Sequence, residues 1–150
     1  GRAPRRLPNG NPITCGFAFV LTSLLDRRTS MGKYAFLVTG GPDRVGSVLN
    51  GIEYALTLDG SGHEVRVYLD GAATKWPGKL ERRVDHPLYE GFFELLDRDL
   101  VSACAFCAEA FDAMEGCRTA DISLQGVPEE EHGPDVGRLV DEQFELLPVS

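Results

Sequence analysis

From residue 33 onward the chain alternates between short unbroken apolar runs and stretches whose apolar side chains recur every three or four residues. Tyr34-Ala35-Phe36-Leu37-Val38 is the first run, the form taken by a strand covered on both faces. Gly40-Gly41-Pro42-Asp43 breaks it, with Asp43 the expected helix N-cap. Val45, Val48, Leu49, Ile52, Ala55 and Leu56 then share one face of a helix reaching about Asp59, and Gly60-Ser61-Gly62 ends it. Residues 64–69 read as a second strand, closed by the turn pair Asp70-Gly71. Residues 72–87, with Lys75-Trp76-Pro77-Gly78-Lys79 and Glu81-Arg82-Arg83, carry no strand pattern and read as an irregular charged surface segment. Leu88, Phe92, Leu95 and Leu96 mark a helix over 88–96, and a third strand follows at about 100–103. The next helix begins at Cys104 and Cys107, runs to about Met114 and is terminated by Gly116. A fourth strand is expected at 119–124, an acidic loop at 126–134, a short helix at 135–141 and a last strand at 143–147.

Strands separated by helical crossovers pair in parallel. The predicted fold is therefore a flavodoxin-like, three-layer α/β/α single domain with about five mostly parallel strands. Ligand sites of doubly wound sheets lie at the carboxyl ends of the strands. The loops carrying Gly40 and Gly41, Asp70 and Gly71, Cys104, and Gln125-Gly126 all fall on that edge, which makes them rim candidates.

Residues 1–30 stand apart. Residues 15–25 are mostly apolar and follow Arg2, Arg5 and Arg6, a loose likeness to a secretory signal. They are too few to span a bilayer, which takes about 20 apolar residues. No small-x-small cleavage pattern follows; Asp26-Arg27-Arg28 comes instead. The expectation is an N-terminal extension outside the fold, with Met31 as a start and 31–150 as the domain. An export signal and an extra element docked on the domain are the competing readings.

Charge narrows the range of partners. The chain carries a formal charge of −8, but residues 1–30 hold five basic side chains and one acid. The remaining 120 residues hold 10 basic and 22 acidic groups, a net of −12. So acidic a domain is a poor match for nucleic acid or an anionic membrane. Neither is expected as a partner.

Candidate chemistry concentrates on sulfur. Of Cys15, Cys104, Cys107 and Cys117, three lie close together in a segment of α/β pattern, which suggests a reducing compartment and reactive or buried thiols. Cys104 ends a strand and Cys107 follows three residues later, at a helix start where unpaired N–H groups favour the thiolate. Full activation needs a further cation, for which Arg118, Lys75, Lys79 and His86 are candidates. Buried packing is the alternative role for each cysteine. A zinc site from Cys104, Cys107, Cys117 and His132 is conceivable by count, but the spacing fits no compact zinc module, and no metal is expected. The Gly40-Gly41-Pro42-Asp43-Arg44 turn lacks dinucleotide and Walker patterns. His63 reads as solvated, His86 as a surface cap and His132 as lacking a partner. Ser102 and Ser123 lack an esterase elbow. Trp76 and Tyr89 read as packing residues.

Three segments taken in order, residues 34–40 with their helix, Glu64-Val65-Arg66-Val67-Tyr68-Leu69-Asp70-Gly71, and Ala103-Cys104-Ala105-Phe106-Cys107-Ala108-Glu109-Ala110, resemble the DsrE/DsrF-like family of small α/β proteins over residues 31–149. The resemblance implies a five-stranded, mostly parallel sheet and assembly into homo- or hetero-oligomers, often trimers or hexamers; a cytoplasmic homo-oligomer is expected here. It also implies a sulfur relay in which Cys104 holds a persulfide received from a protein donor and passed to a protein acceptor. Cys107 then either releases the sulfur by closing a disulfide or tunes the site. This scheme needs no metal or organic cofactor. Two other readings stay open: a non-catalytic, oligomeric ligand-binding or scaffold protein, and a thiol–disulfide oxidoreductase using Cys104 and Cys107.

Overall fold

The computed structural model describes residues 31–150. The expectations for residues 1–30, including the apolar stretch 15–25 and Cys15, lie outside the described residues. Five strands form one sheet: β1 Lys33–Val38, β2 Glu64–Leu69, β3 Val101–Cys104, β4 Ser123–Gln125 and β5 Glu145–Val149. Six helices connect them: α1 Val45–Gly60, α2 Trp76–Leu80, α3 Tyr89–Asp97, α4 Ala105–Ala110, α5 Met114–Thr119 and α6 Val136–Asp141. A 3-10 turn, Gly71–Lys75, leads into α2. Among the described residues no helix is long and apolar enough to cross a membrane.

The strand order is β4-β3-β2-β1-β5, and every neighbouring pair is parallel. The chain steps outward from β1 to β4, then returns to lay β5 on the other side of β1. Because such crossovers are right-handed, the first three connections share one face and the last takes the opposite face. The packing follows this rule. Val48, Ile52 and Ala55 of α1, Trp76 and Leu80 of α2, Phe92 and Leu95 of α3, Ala108 of α4 and Cys117 of α5 join one large core. Phe36, Val38, Val65, Val67, Leu69, Val101 and Ala103 supply the sheet side of that core. Across the sheet, Leu139 of α6 and Phe144 meet Ala35 and Tyr68 in a small second cluster, with the partly buried Leu37 and Leu146 packed against it. The three layers are therefore present but unequal.

Four sequence expectations need correction. Residues 72–80 are helical with one buried face rather than an irregular surface. Ala73, Thr74, Trp76 and Leu80 are at most 1% exposed, and the Trp76 indole N–H donates to the Gly40 carbonyl at 2.8 Å. Their spacing of three and four carries the helical period, masked by the flanking Lys75 and Lys79. The helix after the cysteines is not continuous to Met114: it breaks at Asp112, whose φ is +55°, and Gly116 lies inside the next helix. Asp43 is not the cap of α1; Arg44 is, and it makes no side-chain cap hydrogen bond. Finally, β4 and β5 start later than expected, because α5 runs through Thr119 and Phe144 precedes β5.

Candidate functional site

Side chains alternate along β3, so Val101 and Ala103 enter the large core while Ser102 and Cys104 turn toward the thinly covered face. Cys104 is also the N-cap of α4, with extended backbone (φ −75°, ψ 119°). Its Sγ accepts the N–H of Cys107 at 3.3 Å, the role a serine or aspartate oxygen commonly fills. Cys107 is thus the third residue of the helix. The Cys-x-x-Cys spacing is the cap-to-third-residue spacing, and it brings both sulfurs to one helix mouth.

The third member comes from the loop after β4. Cys104 pairs in register with Gln125, so the chain leaving β4 starts beside the sulfur. It folds back at once: Val127 N–H donates to Glu131 O at 2.8 Å, and Gly126 adopts φ +83°. A Cβ on Gly126 would stand 2.8 Å from Gly133 N, and one on Gly133 would stand 2.8 Å from Gly126 N, so only glycines allow the loop to close this tightly. Closure sets Gly133 N–H 3.5 Å from Cys104 Sγ. It also sets His132 Nδ1 3.8 Å from Cys104 Sγ and 3.6 Å from Cys107 Sγ. The Phe106 ring packs on the His132 ring at 4.0 Å between centroids and 35° between planes, which fixes its orientation. The two sulfurs and the ring nitrogen lie within 4.8 Å of one another.

The expectations for individual residues resolve unevenly. Cys104 and Cys107 come together, as free thiols. Cys104 is only 1% exposed and Cys107 8%, so both sulfurs lie buried beside the loop. His132, expected to have no partner, is the imidazole that reaches both thiols. His86, read as a surface cap and one of the candidate cations for the thiol, accepts from Leu88 N–H at 3.1 Å and packs its ring against Trp76. Lys75 lies over the Phe111 ring. Gly40 and Gly41 serve packing: one carbonyl holds Trp76, and a Cβ on the other would come within 2.6 Å of the Ala72 Cβ. His63, expected to be solvated, accepts from Gly32 N–H at 2.9 Å and meets the Tyr34 ring edge-on. Cys117 is buried, its Sγ 3.6 Å from Thr74 O. Ser102 and Ser123 are register partners on neighbouring strands and line a polar groove with Glu64, Arg66 and Gln125.

Asp70 and Gly71 border the trio. Asp70 stands one residue beyond the Leu69–Ala103 pair, level with Cys104. Its Oδ1 is buried and has no hydrogen-bond partner among the described residues. Burial raises the Asp70 carboxyl above its usual range, with His132 and the Cys104 thiol pulling the other way. The Cys107 thiol is pushed up to about 11, chiefly by burial and further by the Cys104 sulfur and the Asp70 charge, while the Gly71 backbone opposes the rise. The two sulfurs therefore differ. Cys107 is held as a thiol, whereas Cys104 receives two backbone N–H groups placed to meet negative charge.

An apolar groove of about 800 Å³ runs between α1 and β5, lined by Phe36, Asn50, Tyr54, Leu147 and Pro148, and carries no comparable cluster. Searches against protein-family models, curated proteins and solved structures return no match to this chain.

Proposed function

We propose that the protein is a carrier of sulfane sulfur that binds its cargo on Cys104. The supporting observation is the convergence of Cys104, Cys107 and His132 at the carboxyl end of β3, with two N–H groups directed at one sulfur. In the loading step the Cys104 thiolate attacks the outer sulfur of a donor persulfide, R–S–SH. The new bond is Cys104 S–S, the donor S–S bond breaks, and its electron pair leaves as R–S⁻. Attack depends on thiolate and on access. Cys104 is the nucleophile in this scheme because Cys107 keeps its proton at neutral pH. Access requires the 126–134 loop to lift, since the sulfur lies beneath it.

The DsrE/DsrF-like resemblance points the same way and adds a cytoplasmic homo-oligomer, trimer or hexamer, exchanging sulfur with partner proteins. The two adjacent sulfurs favour a second reading, reversible disulfide formation between Cys104 and Cys107. Mass spectrometry of the reduced full chain after incubation with a low-molecular-weight persulfide separates the two. A gain of one sulfur on Cys104, lost in Cys104→Ser and kept in Cys107→Ser, is the expected result. A Cys104–Cys107 disulfide with no sulfur gain supports the second reading. An unmodified Cys104 refutes both and leaves a non-covalent binding or scaffold role.

A further inference from the structure

We propose that Cys104, Cys107 and His132 form a binding site for a single zinc ion. Zn–S bonds of about 2.3 Å and Zn–N bonds of about 2.0–2.1 Å in a tetrahedron require S···N separations of roughly 3.6 Å. The two separations here are 3.6 and 3.8 Å, both measured to the same nitrogen. A single thiol–imidazole hydrogen bond would bring one sulfur to Nδ1 and leave the other free. Near-equal flanking of one nitrogen by two sulfurs matches the spacing of three ligands around one cation.

The surroundings fit a ligand set as well. Metal-bound sulfurs and imidazoles are held by outer partners that set their direction. Cys104 Sγ has the N–H groups of Cys107 and Gly133, and the His132 ring has Phe106. Asp70, level with Cys104, brings a buried carboxyl oxygen that has no hydrogen-bond partner among the described residues. Two sulfurs and one imidazole select a thiophilic ion over magnesium or calcium. Cys117 faces Thr74 and takes no part, so the set has three ligands, and the fourth position is left for water or an incoming thiol.

This inference needs ligation only and does not depend on persulfide chemistry, although zinc and a carried sulfur would compete for Cys104 Sγ. The test uses the reduced, chelator-washed full chain. Zinc titrated against a chromophoric chelator of micromolar affinity is expected to bind at one equivalent per chain. Cobalt(II) in its place is expected to give thiolate-to-metal charge-transfer absorption. His132→Ala, a change at an exposed residue of the loop, should weaken zinc by roughly 100-fold or more, and Cys107→Ser should do the same. Cys117→Ser should leave stoichiometry and affinity intact. No competition with the chelator, or equal binding by His132→Ala with an unchanged circular dichroism spectrum, would overturn the site. Sulfur loading is read by mass on the same metal-free samples, so failure of one proposal is distinguishable from failure of the other.

Discussion

Cys117 shows what burial alone does to a thiol in this fold. Its Sγ is enclosed against Thr74 O, and desolvation raises its pKa above the ordinary thiol value with no opposing charge. A group whose folded pKa is raised contributes stability that is complete below its unfolded pKa and is lost as pH climbs through the folded value. The window therefore opens near pH 8.5, roughly the unperturbed value of a thiol, and extends upward. We expect the denaturant midpoint to fall across this alkaline range and the fall to be shallower in Cys117→Ala. An identical slope in the variant would show that Cys117 is not responsible. Cys107, raised to about 11, adds to the same decline, so the variant removes only part of it. The sequence identifies Cys104 and Cys107 as a pair because their spacing is local. His132 lies 28 residues from Cys104 and 25 from Cys107, in a loop without periodicity. Its signal was topological: the loop after β4 starts beside Cys104 once β3 and β4 are placed as parallel neighbours.

Helix ends carry the next lesson. α1, α3, α4, α5 and α6 finish in one motif, in which the residue three past the last helical one donates back across a turn: His63 to Leu58, Leu100 to Leu95, Ala113 to Ala108, Ile122 to Cys117 and Phe144 to Leu139. The left-handed residue in these turns is Gly62, Asp99, Asp112, Asp121 and Gln143 respectively. Glycine is the residue usually sought there, so only the end of α1 is plain in the sequence. Aspartate tolerates that conformation better than most side chains, which is how Asp112 splits the predicted helix unannounced. Gly116 does different work. A Cβ on it would stand 2.8 Å from Gly78 Cα and Gly78 N, so α2 and α5 touch backbone to backbone. Gly116→Ala should cost about 1–3 kcal/mol through this overpacking. Asp112→Gly should add up to about 1 kcal/mol by relieving the strained cap. Urea denaturation checks both, and a neutral Gly116→Ala would disprove the close contact.

At the scale of the whole molecule, the alternation of strand and helix was legible because apolar period is local and strong in residues 33–69. The unequal thickness of the two faces was not, since it depends on strand order. The second face rests on a small cluster: Leu139, Phe144, Ala35 and Tyr68, with Leu37 and Leu146 partly buried against them. Phe144 dominates it, with Lys33 Nζ 4.8 Å and Arg66 Cζ 4.6 Å from the ring centroid. Phe144→Ala should therefore cost about 3–5 kcal/mol and loosen α6 before the main core. Hydrogen exchange and a denaturation curve would show this, and a loss below about 1 kcal/mol would rule out so central a role. The strand order has a temporal consequence too. β1 is synthesised early, yet its second neighbour, paired Tyr34 with Glu145, comes more than 100 residues later. Until that segment leaves the ribosome, the nascent polypeptide shows a bare row of backbone donors and acceptors beside its first strand, an invitation to mispairing that chaperones would have to cover.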